Sequence, residues 1–240
     1  MLLAWLLALG LGAGAVVLAH IAARLVPRRM PLEELAYYPS GHALRPASLG
    51  HAETVADLAW LRAVQYYGEH RTTDLRFVQL ERVFNVLTSL SPHFESPYAF
   101  GAFALAQEGR DFAAAERLMQ RGIEANPRSG WLAFELGFLY YVHPGGRELA
   151  KAAACFERAS RLPGGPPSAK RFAAYASQHS GDLVVALMLW QQVRATSDNR
   201  LLREMAETEI GKLQEALRTG RKGTAMHALS TPSVLIKSMP

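Results

Sequence analysis

The residues of this chain that could carry covalent chemistry are few and scattered. Eight histidines are spread over 240 residues. No H-E-x-x-H occurs and no two histidines stand four apart, so paired zinc ligands on one helical face are missing. There is no G-x-S-x-G elbow for a serine nucleophile and no G-x-x-x-x-G-K-[ST] loop for a phosphate. Cys155 is the only cysteine, which rules out a disulfide within the chain and a Cys pair on a metal. Beside Phe156 and Ala159 it reads as a small apolar side chain. Glu33 and Glu34 fall in a linker, and Glu204, Glu207 and Glu209 on a solvated helix face. His143 has the least ordinary setting, in an enlarged turn from His143 to Arg147, and turn chemistry accounts for it. The expectation is therefore no catalytic residue, no metal, no cofactor and no enzyme.

The stronger signal is aromatic. Trp131, Phe134, Phe138 and Tyr141 recur at helical spacing. Aromatic side chains give large contact area at low entropic cost, and Trp and Tyr keep a polar handle. Such a stripe suits a partner, and it also suits a core. Three occupants stay open: a partner protein, another part of this chain (the segment from Pro31 to Gly50 or the last helix), or the protein's own packing.

The elements that must position this stripe are helices. Half the residues are hydrophobic, Ala and Leu dominate, β-branched residues are sparse and Pro falls between segments, which favours an all-α protein. The net charge is +5, but its location matters more. Between His51 and Thr219 there are 19 Arg or Lys and 19 Asp or Glu. The excess lies at the ends, in Arg24, Arg28, Arg29 and Arg45 and in Arg221, Lys222 and Lys237. A nucleic-acid binder carries its basic residues as a patch on the fold; basic ends beside an apolar segment fit anionic lipid headgroups better. No nucleic-acid partner is expected.

Ser96 to Pro163 holds two copies of one pattern. Each is a pair of helix-sized pieces joined by a Gly-containing turn and closed at Pro127 or Pro163. Leu136-Gly137 followed by Tyr140-Tyr141 closes the first helix of the second copy, and Ala152, Phe156 and Ala159 space its second helix. Ala115 and Gly122 take the corresponding small-residue places in the first. This resembles the tetratricopeptide repeat, a helix-turn-helix unit of about 34 residues. The resemblance covers Ala52 to Thr196. Further units are His51–Pro92, divergent, and Pro167–Thr196, turning at Gly181-Asp182. The stretches PSGHALRPASLG and ADLAWLRAVQYYG are also similar to those of bacterial membrane-anchored proteins with this repeat.

The resemblance implies an α-solenoid of about four helical hairpins over residues 51–218, with Asp198 capping a final helix, Leu201–Leu217. It also implies that the first helix of each unit lines a concave groove. The lining places hold Trp60, Val64 and Tyr67 in the first unit and Phe100, Ala104 and Gln107 in the second. They hold Trp131, Phe134, Phe138 and Tyr141 in the third, and Arg171, Tyr175 and Gln178 in the fourth.

Outside the repeats, Met1 to Ala23 is almost wholly apolar, long enough to span a bilayer as a helix. With no Lys or Arg before it and no clear small-x-small site after it, an uncleaved anchor over residues 1–25 is favoured over a cleaved signal peptide. The membrane implied is the bacterial inner one, with the side of the soluble part left open. Residues 26–50 read as a linker packing on the first repeat. Ala52–Gly68 reads as a helix with Leu58, Leu61 and Val64 on its apolar face. Thr72, Thr73 or Asp74 is placed to cap the next helix, which ends at Leu90. Residues 219–240 read as a disordered basic tail. The function expected is a membrane-tethered scaffold presenting an aromatic groove to a peptide or partner protein in an envelope or secretion-type assembly. The alternatives are a structural subunit of a membrane complex or an accessory subunit of an enzyme.

Overall fold

The structure, a computed structural model, describes residues 13–18, 41–143 and 145–220. The chain divides into two units, Met1–Pro39 and Ser40–Pro240. In the first, residues 13–18 are helical. The remainder of the expected anchor, the first part of the linker and the tail from Arg221 lie outside the described residues. Among the described residues no helix is long and apolar enough to cross a membrane.

The second unit is all-α. Its helices are α1 (Gly41–Ala47), α2 (Ala52–Thr72), α3 (Leu80–Leu90), α4 (Ser96–Gln107), α5 (Phe112–Ala125), α6 (Gly130–Tyr141), α7 (Leu149–Arg161), α8 (Ala169–Ser180), α9 (Leu183–Thr196) and α10 (Arg200–Thr219). From α2 onward each helix packs on the next in the chain, while α1 passes over α2 to pack on α3. No strand occurs among the described residues.

Local sequence explains most boundaries. Asp111, Ser129 and Asp182 cap α5, α6 and α9 by accepting from the backbone N–H of Ala114 (2.9 Å), Leu132 (3.1 Å) and Val185 (3.2 Å). Each satisfies a donor the helix start would otherwise leave bare. Gly181, at φ 92°, ends α8 in the left-handed conformation, which residues with a Cβ rarely adopt.

Small residues let the helices close up. A Cβ on Gly122 would lie 2.7 Å from Cγ of Tyr98, and one on Gly137 2.8 Å from Cδ1 of Phe156. Ala152, Phe156 and Ala159 are fully buried, and Ala186, Trp190 and Val193 repeat that pattern two helices on. Ties between hairpins recur at a nearly constant offset. Ser129 Oγ donates to Glu95 Oε2 (2.8 Å) and Asn126 Nδ2 to the Pro92 carbonyl (3.0 Å), each 34 residues away. Arg117 and Arg121 reach Glu81 and Asn85, each 36 residues back.

The fold departs from expectation in four places. First, α2 runs on to Thr72, and its buried side is Ala56, Ala59, Ala63 and Tyr66. Leu58, Leu61 and Val64 are 58%, 57% and 40% exposed. Alanines let neighbouring backbones approach closely, so they take the packed side and the larger residues turn out. Second, α3 begins only at Leu80, and its N-cap residue Gln79 makes no side-chain cap bond. Asp74 instead holds His70 Nδ1 at 2.5 Å and accepts from the Arg76 N–H at 3.0 Å. Third, the linker contains α1, with Pro46 in its last turn; its Arg45 donates to the Ser89 carbonyl of α3 at 3.4 Å. Fourth, at the other end, Asn199 and not Asp198 caps α10, accepting from Leu202 N–H at 3.3 Å.

Candidate functional site

The thirteen residues assigned to the groove separate into two aromatic clusters and several outliers. In the N-terminal cluster, Trp60 and Tyr67 of α2 meet Phe100 of α4 with ring centroids 5.4 and 5.0 Å apart. Phe84 of α3 lies beneath, fully buried, 6.0 Å from Phe100. Phe77 and Phe94 close the sides, 5.6 Å from Tyr67 and 5.8 Å from Trp60. Polar groups here are paired. Tyr67 donates to Glu108 Oε1 at 3.2 Å, and Arg71 forms an ion pair with the same carboxylate. Tyr66 donates to the Arg76 carbonyl (3.2 Å) and accepts from Gln79 N–H (3.2 Å). Gln107 is exposed at the end of α4.

The second cluster runs along α6 and α8. Its floor is the fully buried Phe156 of α7. Over it stand Phe134, Phe138 and Tyr141 of α6 with Phe172 and Tyr175 of α8, all half-buried. Phe134 and Phe172 meet edge to face at 5.5 Å, and Phe172 lies 6.4 Å from Phe138 and 6.1 Å from Tyr141. The Tyr141 and Tyr175 rings lie 6.3 Å apart, and burial pushes both phenols above their ordinary pKa. Phe103 of α4 touches Phe138 at 5.8 Å and continues the strip toward the first cluster. The inner edge of the stripe is therefore core and its outer edge is accessible.

Two half-buried charges sit in this strip and one exposed charge covers it. Arg171 lies 5.6 Å over the Phe172 ring. Its Nε is buried with no hydrogen-bond acceptor, and burial lowers its pKa. Glu135 is half-buried on α6, and burial raises its carboxyl above the usual range. Arg147, from the turn after α6, covers the Tyr141 ring at 5.3 Å. Sequence reasoning named Arg171 but missed Glu135. The signal was present: Glu135 is the one charged residue in GWLAFELGFLYY.

Two assigned residues lie elsewhere. Gln178 is 2% exposed. It accepts from Trp190 Nε1 at 2.8 Å and donates to Glu209 Oε2 at 2.8 Å, tying α8 to α9 and α10. Both ends of its amide are spent inside the fold, so it does not face a partner. Trp131 stands apart from the α6–α8 rings, lining an open cleft of about 460 Å³ with Glu95, Asn126, Arg128 and Pro163.

His143 stacks on Phe112, centroids 3.7 Å apart, with its Nδ1 3.7 Å from Glu148 Oε1, beyond hydrogen-bond range. Burial pushes the Cys155 thiol up to about 11, which keeps it protonated and unreactive near neutral pH. Among the described residues no three His, Cys, Asp or Glu side chains gather where one metal ion could bridge them. The arrangement offers contact area and two charges. Comparison with protein-family models, with curated proteins and with solved structures finds no match to this chain.

Proposed function

We propose that this chain is a membrane-tethered scaffold. In this reading its helices form a tetratricopeptide-like α-solenoid, and the α6–α8 strip receives a peptide or helix of a partner protein. The observation that carries the reading is the half-buried edge of Phe134, Phe138, Tyr141, Phe172 and Tyr175. Rings that needed only a core would be covered on both edges. The offset of 34 to 36 residues between hairpin ties supports the repeat. The apolar run Met1–Ala23 supports the tether, which raises the effective concentration of two partners held in one bilayer. An envelope or secretion-type assembly is the setting such a tether suits.

The test is crosslinking of the full-length protein in its native membrane, in parallel with a Tyr141→Ala, Tyr175→Ala variant. A partner captured by the parent and lost by a variant of unchanged circular dichroism supports the groove. A partner kept by the variant refutes it.

One observation favours a second reading, a structural subunit of a membrane complex. The outward face of α2 carries Leu58, Leu61 and Val64, and exposed apolar faces mark protein contacts. Co-purification at fixed stoichiometry, abolished by Leu58→Ser with Leu61→Ser and untouched by the tyrosine changes, would favour it.

A further inference from the structure

Glu135 and Arg171 share a predicament. Each is half-buried in an aromatic setting, and neither forms an ion pair with any described residue. Unpaired charges are costly to withdraw from water. A strip that served only as packing would be better off with Leu or Met at both positions. Elsewhere the fold handles such groups differently: Glu108 has Arg71 and Tyr67, and Glu209 has Lys212 and Gln178.

The two positions bracket the rings. Glu135 lies between Phe134 and Phe138 in the turns of α6, and Phe138 also meets Phe103 of α4. Arg171 is next to Phe172, the ring that contacts Phe134, Phe138 and Tyr141 across the helix boundary. From the assignment of this strip as a partner groove, on which the inference rests, we infer that the occupant is a segment of another protein bearing one basic and one acidic side chain. The base meets Glu135, the acid meets Arg171, and apolar side chains lie on the rings between them. A partner carboxylate meets the terminal nitrogens of the guanidinium, whose Nε is shielded within the fold.

The probe is a random peptide library displayed on phage, selected against the full-length protein in detergent micelles. The parent protein should enrich peptides that carry both a Lys or Arg and an Asp or Glu flanking apolar residues. Selection on Arg171→Gln should lose the acidic preference, and selection on Glu135→Gln the basic one. A peptide chosen on the parent should bind either variant about tenfold or more weakly. Both variants remove an unpaired charge, Glu135→Gln at similar volume, and Arg171→Met, which keeps an apolar stem, repeats the test should Arg171→Gln unfold. Peptides that Tyr141→Ala or Tyr175→Ala abolishes, but whose composition the charge variants leave unchanged, overturn this inference and leave the groove standing. Peptides indifferent to both tyrosine changes, or no enrichment at all, overturn the groove and the inference together.

Discussion

The two aromatic clusters are built from the same residue types and end in opposite conditions. Around α2–α4 the rings of Trp60, Tyr67, Phe84 and Phe100 surround polar groups that are all spoken for, with Glu108 taking both Arg71 and Tyr67. Around α6–α8 a similar set of rings surrounds Glu135 and Arg171, which are left unmet. Aromatic content therefore does not separate a site from a core. The completeness of the polar pairing is what differs between the two, and a folded chain under selection for stability alone gains by satisfying or removing such groups.

The largest effect should be the same in both clusters and tests whether each has a true floor. Phe84→Ala and Phe156→Ala each remove a fully buried ring and should cost about 3–5 kcal/mol by urea unfolding. A much smaller loss at Phe156 would mean that the α6–α8 strip is open from below as well.

Next comes Gln178→Leu. It strands the Trp190 indole N–H and one Glu209 oxygen and should lower stability by about 1–3 kcal/mol. A neutral result in thermal unfolding would return Gln178 to the groove.

The smallest effect is the most telling, because its sign differs between the clusters. Glu108→Gln loses the charge that holds Arg71 and should destabilise. Glu135→Gln should stabilise at neutral pH. Burial raises the folded-state pKa of Glu135, so the folded chain holds its proton to higher pH than the unfolded chain does. The native glutamate then weakens the fold as pH rises from the ordinary carboxylate value through the raised one. The advantage of Glu135→Gln should accordingly vanish below the ordinary value, and melting curves across acid to neutral pH would show it. Equal signs for the two substitutions would dissolve the contrast between the clusters.

Much of this was legible in the residues. Helical content, the turns at Asp111 and Gly181-Asp182, and the packed places of Ala115, Gly122, Ala152, Phe156 and Trp190 follow from propensity, capping and side-chain volume. The outward face of α2 did not follow. Leu58, Leu61 and Val64 have the spacing of a buried stripe, but Ala56, Ala59 and Ala63 have the same spacing on the other side. Periodicity cannot rank two apolar faces when close approach decides between them. Gln178 misled for a related reason. Its place in the repeat pointed to the groove, yet Trp190 and Glu209 from later helices supply an amide's two partners, and pairing over that distance leaves no local trace. Glu135 was visible as the lone charge of α6, and its meaning emerged only once the surroundings proved to lack a cation.

The packing of each helix on its neighbour in the chain has a kinetic consequence. Contacts that are short in sequence demand little loop closure before they form, so such a chain should fold quickly and from more than one starting point. It should also open from its ends. Amide exchange would then be fastest in α1 and α10 and slowest near α6 and α7, with α10 having to peel away before α8 is released. The strip between α6 and α8 would stay assembled through most of the excursions that fray the rest of the molecule.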